Sequence, residues 1–416
     1  MSKYRTYDEL FFGAWKDVLA AENILPRILR PKLEELGIYL TDEQMARISE
    51  QVAQGDRSID FELDNAQYVK AGLPPDKDGK YALTIDLSEE AERLDRLEEK
   101  LPEIIAELIP KFIEQCATEL LESIESVRAV RLREERVKRE AFRQTVQAIW
   151  GEALDGLDMF INLVTEAGSD FADEYRTSST DEPDYKFQAL IGLHARACQM
   201  GKEIFTLLSE GFADGAHARW RSLHEVAVIG KFILDHEQGT AERYLLHQII
   251  EAKQGAHEHV NHAERLNEPP PTEDEIAQLD VAYKSLRERF GDSYVNPYGW
   301  AAEQLGSKSP KFAEIEKSTG LDHLRPYYKL ASYNVHASPR SIVYRLGASP
   351  YSSVLVAGPS VFGLADPGQG AVFSLFGITV SLLIYQPAID RHVRLQVLSK
   401  MMEQISEAFA RAHWVL

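Results

Sequence analysis

Two segments of this sequence, 107 residues apart, carry polar residues whose types and spacing could do chemistry. In the first, Arg221 and Glu225 lie one helical turn apart. In the second, Tyr328, Ser332 and His336 recur every four residues and would share one helix face. If the two faces meet, Arg221 would hold an anionic group, Glu225 would orient it, and His336 would bind or transfer a proton. The spacing therefore predicts a polar site with His336, Arg221 and Glu225 as its catalytic residues.

The histidine segment also has an interpretation without chemistry. His336 lies just before the end of its predicted helix, where an imidazole could act as a general acid or base near neutral pH. A histidine at a helix C-terminus is also stabilised by the helix dipole alone. In the chemical interpretation, Tyr328, Ser332 and Ser338 are the predicted ligand contacts.

The arginine and the glutamate of the first segment likewise have two interpretations. Their helix is otherwise rich in Ala, Val, Ile, Leu, Phe and Trp, so a buried or half-buried charge pair is expected. Buried ion pairs cost desolvation, and a sequence that keeps one can be using it as a site. The alternative is a structural bridge within or between helices.

Histidine clustering raises the question of a metal. Two pairs with i,i+4 spacing, Glu258/His262 and His247/Glu251, could chelate an ion from one helix. The sequence lacks the paired Glu-x-x-His pattern of di-iron bundles and the His-Glu-x-x-His pattern. A solvated polar helix is the favoured interpretation, and we predict no metal site and no cofactor. Seven of the twelve histidines lie in this part of the chain: His217, His224, His236, His247, His257, His259 and His262.

The periodicity predicts a mainly α fold, a helical bundle with a long N-terminal helical region and a small β-hairpin. The hairpin strands are predicted at Ser58 to Leu63 and Tyr81 to Leu87, around a loop containing Gly72, Pro74, Pro75 and Gly79. Three regions are expected: residues 1–87, with the hairpin; residues 88–177, as long charged helices; and residues 184–416, as the C-terminal bundle that holds both polar motifs.

Within the C-terminal region, a polar break from Ser178 to Pro183 marks the start. Capping signals, proline positions and apolar periodicity then predict successive helices. Their predicted spans are 184–210, 213–235, 239–266, 273–290, 321–337, 371–386 and 388–413.

The long helical region reverses its charge along its length. Residues 86–125 carry 13 acidic against 4 basic side chains, whereas residues 128–143 carry seven basic side chains against three glutamates. Such a helix could mediate homo-oligomer formation or recruit a protein partner. The simpler interpretation is a solvated helix with many i,i+4 ion pairs.

Overall charge and composition limit the partner and the location. A net charge of -20 disfavours nonspecific binding to a phosphate backbone, so nucleic acid would require a local basic patch. The two cysteines, Cys116 and Cys198, show no paired metal-ligand spacing and suit a reducing compartment. The first residues show no apolar segment of the signal-peptide type, which predicts a cytoplasmic location.

One uncharged segment, residues 367–389, tests that prediction because it approaches the length of a membrane span. Its glycines and Pro387 leave a helical core of roughly 15 residues, which is short for a bilayer. We therefore predict no membrane contact and a buried central helix of the bundle.

Residues 140 to 400 resemble a bacterial helical domain family of unknown function. The resemblance lies in three elements that occur in order. They are Gly211 with Arg221-Ser222-Leu223-x-Glu225; Tyr328, Ser332, His336 and Ser338; and Gly358-Pro359-Ser360. The family has no settled activity, so the resemblance implies a shared polar site in a helical bundle and nothing finer.

A weaker likeness is to helical-bundle ribonucleases that use an arginine four to six residues before a histidine. Positions 330 to 332, which precede His336, are Leu330, Ala331 and Ser332. Arg221, on another helix, is the only obvious substitute for that arginine.

Two hypotheses for function follow. The favoured one is a noncatalytic interaction or sensor module, for example in a bacterial stress or phage-defence response, in which the polar residues join helices and the charged helix recruits a partner. The alternative is a metal-independent hydrolase or nuclease-like enzyme that acts on a phosphoryl bond with Arg221, Glu225 and His336. An enzyme requires the two motifs to meet at a cleft that solvent can reach.

Overall fold

A computed structural model describes residues 6–19, 21–63, 77, 81–178, 183–336, 338–349 and 356–416. These residues form a mainly α-helical fold with one small antiparallel sheet, which confirms the predicted fold class. The chain divides into two compact units, residues 1–130 and 131–416. The boundary lies inside the segment that the sequence treats as one charged helical region.

The first unit contains three short helices, the β-hairpin and the beginning of a long helix. A capping box starts the third helix, α3 (Asp42–Ala53). The Thr41 side chain accepts from the Gln44 backbone, while the Gln44 side chain accepts from the Thr41 backbone. The apolar faces of these elements enclose a small core around Leu25, Ile48 and Leu63. The described elements of the first unit are α1 (Tyr7–Leu19), α2 (Ala21–Glu35), α3 (Asp42–Ala53), β1 (Ser58–Leu63), β2 (Tyr81–Asp86) and the first part of α4 (Ser88–Ser178).

The two strands pair as the alternation of their residues predicts. Ile59 faces Ile85 and Leu63 faces Tyr81 in an antiparallel register. Because side chains alternate along a strand, Ile59 and Leu63 lie on the same face and both are buried. The predicted loop with Gly72, Pro74, Pro75 and Gly79 lies outside the described residues.

Helix α4 is continuous from Ser88 to Ser178, although it contains Pro102 and Pro110. The sequence predicts an interruption or a kink at these prolines, and the helix is not interrupted at either. Proline removes one backbone hydrogen bond, a loss that long flanking helical segments can outweigh.

Eleven further α-helices and three 3₁₀ turns are described in the second unit, along with the end of α4. The α-helices are α5 (Tyr185–Ser209), α6 (Ala213–Asp235), α7 (Gln238–Leu246), α8 (Gln248–Leu266), α9 (Glu273–Phe290), α10 (Ala302–Leu305), α11 (Phe312–Ser318), α12 (Arg325–Val335), α13 (Pro339–Val343), α14 (Ala365–Leu383) and α15 (Ile389–Val415). The 3₁₀ turns are η1 (Asp292–Val295), η2 (Gly299–Ala301) and η3 (Asp322–Leu324).

Most predicted spans in this unit lie close to the observed helices, with three departures. The predicted helix 371–386 is α14, which begins earlier, at Ala365, and ends at Leu383. The predicted helix 239–266 is two helices, α7 and α8, which meet at His247. The predicted helix 321–337 begins only at Arg325, because a 3₁₀ turn precedes it and Pro326 stands at the start of the α-helix. Most of the polar break predicted before the C-terminal region, residues 179–182, lies outside the described residues.

Helix α14 lies at the centre of the second unit, packed against α5, α6 and α15. Its residues Leu375, Ile378 and Leu382 are fully buried. The helical part of the uncharged segment therefore lies in the core, as its short length predicts, whereas Ile389 at the end of the segment is exposed. Among the described residues, no helix is long and apolar enough to cross a membrane.

A second apolar cluster sets the position of α12 against α6. Phe232 of α6 packs in this cluster with Trp300, Phe312 and Tyr328. The rings of Phe312 and Tyr328 stack with centroids 5.1 Å apart. This packing brings Tyr328 over the part of α6 that carries Arg221 and Glu225.

Candidate functional site

The two polar motifs meet through three side chains. Arg221 Nη2 donates to the Tyr328 hydroxyl at 2.8 Å, and that hydroxyl donates to Glu225 Oε1 at 2.5 Å. The same carboxylate oxygen lies 3.1 Å from Arg221 Nη2. Arg221, Glu225 and Tyr328 therefore form a closed triangle, which we call the joint, between α6 and α12.

The joint is partly shielded from solvent. Arg221 and Glu225 are each about a quarter exposed, and Tyr328 is buried. Burial and the hydrogen bond to the Glu225 carboxylate raise the pKa of Tyr328, so its hydroxyl keeps its proton and can donate. The Nε of Arg221 is buried and has no hydrogen-bond partner among the described residues.

Two guanidinium groups lie near the Tyr328 ring. Arg221 Cζ is 4.8 Å and Arg325 Cζ is 5.2 Å from the ring centroid. The negative face of an aromatic ring attracts such cations, and the attraction grows when water is excluded. These contacts hold Tyr328 by its ring as well as by its hydroxyl.

A second polar network lies beside the joint and is more deeply buried. Glu316 is completely inaccessible to solvent, and its two carboxylate oxygens lie 2.9 Å from His224 Nε2 and 2.7 Å from Arg325 Nη1. An ionised carboxylate only accepts hydrogen bonds, so His224 must carry its proton on Nε2. Burial opposes ionisation of Glu316, but the bonds from His224 and Arg325 outweigh it and lower the pKa of Glu316.

The remaining predicted site residues do not join this group. Ser332 Oγ donates to the backbone oxygen of Tyr328 at 2.8 Å, a bond within α12. His336 is the C-terminal cap of α12, and its exposed side chain makes no hydrogen bond or ion pair with any described residue. Ser338 caps the short helix α13 by accepting from the backbone of Arg340.

Helix geometry separates His336 from the joint. It lies eight residues beyond Tyr328, which is about 12 Å along a helix axis. The amide of Asn334 contacts Asp214 near the start of α6, so the His336 end of α12 lies toward the N-terminal end of α6. The structure therefore brings together Arg221, Glu225 and Tyr328 but leaves His336 apart from them.

An open cavity of about 440 Å³ lies at the N-terminal end of α6. Asp214 in the first turn of α6 accepts from the backbone nitrogens of Leu346 and Gly347, and these bonds fasten the loop after α13 to the cavity. Residues lining the cavity include Gly211, Phe212, Asp214, Ile342, Val343, Arg345, Gly358 and Ser360.

Two elements of the family resemblance meet at this cavity. The Ser360 backbone nitrogen donates to the Gly211 oxygen at 2.9 Å. Gly211 has a φ of +77°, and a Cβ there would lie 2.7 Å from both the Ser360 oxygen and the Phe142 ring. Only glycine fits this left-handed, close-packed position.

The histidines do not gather around an ion. Among the described residues, no group of three or more His, Cys, Asp or Glu side chains is placed to hold a metal. His217 is buried against the Trp220 ring, and burial lowers its pKa to about 4, so it is neutral near pH 7. His224 belongs instead to the Glu316 network.

Sequence reasoning missed Glu316 and Arg325. Glu316 lies in the short helix α11 and Arg325 is the first residue of α12, and their spacing matches no motif. A usable signal was His224, which lies between Arg221 and Glu225 in an apolar helix and would need a polar partner if buried.

The model of one known family matches part of the chain. Residues 187–352 match the model of a family of unknown function (DUF5677), which confirms the resemblance over a shorter span than predicted. The match includes the segments from Arg221 to Glu225 and from Tyr328 to Ser338, whereas Gly358-Pro359-Ser360 lies outside it. No curated protein and no solved structure is significantly similar to the chain. The description of this family names no activity.

Replacing Tyr328 with phenylalanine tests the joint. The Tyr328→Phe variant keeps the ring contacts but removes the hydroxyl that connects Arg221 to Glu225. We expect the free energy of unfolding to fall by about 1 to 2 kcal/mol, measured by urea denaturation. Tyr327→Phe is the matched control, because Tyr327 is exposed and its hydroxyl makes no hydrogen bond with any described residue. Equal effects of the two substitutions would contradict the joint.

Glu316→Gln tests the buried network through pH. A carboxylate with a lowered folded-state pKa stabilises the fold above its unfolded pKa, and the stabilisation disappears as pH falls through the folded value. We expect Glu316→Gln to cost about 2 to 3 kcal/mol at neutral pH, and this difference to shrink as pH falls below about 4.3. The exposed Glu288→Gln is the control and should show no such pattern. A difference that does not vary with pH would rule out an ionised Glu316.

Proposed function

We propose that this chain is a noncatalytic interaction or sensor module. In this proposal the joint holds α6 against α12, and the cavity at the N-terminal end of α6 binds the ligand or partner. The observation that carries the proposal is the closed hydrogen-bond triangle of Arg221, Glu225 and Tyr328, with His336 outside it.

The bonding of the joint supports a structural role. Tyr328 donates to Glu225, and Arg221 lies within bonding distance of both. Both contacts are to Glu225 Oε1, so a substrate group that approached this oxygen would have to displace Tyr328 or Arg221. An anionic substrate would have to compete with Glu225 for Arg221 in order to bind.

The position of His336 supports the same conclusion. A general acid or base must come within about 2.6 to 3.2 Å of the reacting group, directly or through one water. His336 is about 12 Å along the helix from Tyr328. His336 and the pair of Arg221 and Glu225 would therefore act on different parts of a bound molecule.

The edge of the cavity favours binding of an apolar surface. Ile342 and Val343 are 69% and 87% exposed, and the neighbouring Phe212 is 43% exposed. Exposed apolar side chains clustered around a concavity are typical of interaction sites. Arg345, which also lines the cavity, supplies a cation beside these side chains.

The joint and the cavity are connected through the same two helices. Asp214 and Arg221 both belong to α6, while Asn334 and Tyr328 both belong to α12. The hydrogen bonds from Asn334 to Asp214 and within the joint fix α12 against α6 at two places. Binding at the cavity would therefore affect the hydrogen bonds of the joint. This coupling is the basis of the sensor part of the proposal.

The first test is an assay for phosphoryl hydrolysis. We expect the purified chain to cleave neither single-stranded RNA nor bis-p-nitrophenyl phosphate, with a chelator present, any faster than its His336→Ala and Arg221→Ala variants do. His262→Ala, a substitution of an exposed histidine on α8, is the control. The enzymatic hypothesis would replace ours if His336→Ala alone lowered a measurable turnover by about 10² to 10⁴-fold while circular dichroism stayed unchanged.

The second test concerns the apolar edge of the cavity. Anilinonaphthalene sulfonate fluoresces when it binds exposed apolar clusters. We expect Val343→Glu to reduce the dye's fluorescence with the folded chain, and Ile389→Glu to leave it nearly unchanged, because Ile389 is 84% exposed on a different helix. A fluorescence signal that Val343→Glu does not alter would argue against binding at this edge.

A further inference from the structure

The middle of α4 is exposed along its whole surface in the part of the chain that the structure describes. Every residue from 117 to 141 is exposed, a stretch of about 37 Å of helix. Most helical stability in proteins comes from burying an apolar face, whereas no residue of this stretch is buried against the described residues. The stretch therefore lacks the burial that would be expected to stabilise it.

Local ion pairs supply only part of the missing stabilisation. Glu125 pairs with Arg128 at 3.2 Å, and Glu135 pairs with Lys138 at 2.7 Å. Each pair of this kind contributes about 0.2 to 0.5 kcal/mol. The solvated-helix interpretation accounts for these pairs but not for the apolar residues between them.

An apolar stripe runs along this part of the helix and lies within the first unit. Its members are spaced four, three, four and three residues apart, the heptad spacing of coiled coils. All five are exposed, and the four large ones range from 38% to 59%. The stripe consists of Ile113, Ala117, Leu120, Ile124 and Val127.

Charged side chains on either side of the stripe are left without ion pairs. The acidic ones precede the centre of the stripe or lie at it, and the basic ones follow its end. Among the described residues, the following form no ion pair within 4.0 Å: Glu103, Glu107, Glu114, Glu122, Arg131, Arg133, Arg136 and Arg139.

We propose that α4 pairs with α4 of a second copy of this chain in an antiparallel coiled coil that crosses near residue 122. In this register Leu120 of one copy packs against Ile124 of the other, and Ala117 packs against Val127. Glu114 then faces Arg128 of the second copy across the edge of the stripe. The acidic half of each helix lies along the basic half of its partner.

The charge reversal decides the orientation. A parallel pair would place residues 86–125, with 13 acids against 4 bases, beside the same residues of the second copy. Like charges side by side destabilise a coiled coil, and only the antiparallel arrangement brings opposite charges together. This charge pattern also selects a second copy over an unrelated apolar partner.

Sedimentation of the full chain tests the pairing. We expect a monomer–dimer equilibrium, and we expect the Leu120→Glu/Ile124→Glu double variant to weaken dimerisation by about 100-fold or more, because it buries carboxylates in the stripe. Val281→Glu is the matched control, since Val281 is 69% exposed on α9. A monomer at every concentration, or a dimer that the double variant leaves intact, would overturn the proposal.

Charge exchange tests the orientation. We expect Glu114→Arg and Arg128→Glu each to weaken the dimer about fivefold, and the combined variant to restore it. In a parallel pair Glu114 would lie beside its own copy, so the combined variant would show no rescue. A dimer that dissociates in the stripe variant but shows no rescue would overturn the antiparallel arrangement. These measurements are independent of the hydrolysis and dye assays, so either proposal can fail without the other.

Discussion

The hydroxyl group of Tyr328 is the polar contact that joins α6 to α12 within the apolar packing that brings the two helices together. It accepts a hydrogen bond from Arg221 and donates one to Glu225, so one oxygen connects two charges of α6 to α12. Removing either charge would leave the other half-buried without its partner, which costs more than the pair contributes. The three residues therefore depend on one another.

The Glu316 network also depends on paired charges, and it is more deeply buried than the joint. A fully buried carboxylate is tolerated only if its charge is balanced and its oxygens are bonded, and His224 and Arg325 supply both conditions. Arg325 also lies over the Tyr328 ring, so this one side chain contacts both the Glu316 network and the joint. Together they connect α6, α11 and α12 through hydrogen bonds, which require defined donor and acceptor positions.

The two units of the chain place their exposed apolar side chains differently. In the second unit, Phe212, Ile342 and Val343 surround a cavity, which suits a ligand or the end of a partner. In the first unit, the stripe from Ile113 to Val127 lies along a helix, which suits another helix. In our proposals both surfaces are sites of interaction: the cavity takes a ligand or partner, and the stripe takes a second helix.

Local pattern in the sequence determined the helical class, the hairpin strands and the bounds of α6, because periodicity and capping act over a few residues. It also placed Arg221 and Glu225 on one face and predicted that this face could meet the face of Tyr328. Only the tertiary structure decided which members of the second motif take part. His336 shares its helix with Tyr328, but α12 contacts the joint at one end and Asp214 at the other. Glu316 could not be predicted, since its partners come from α6 and α12 and only packing brings them together.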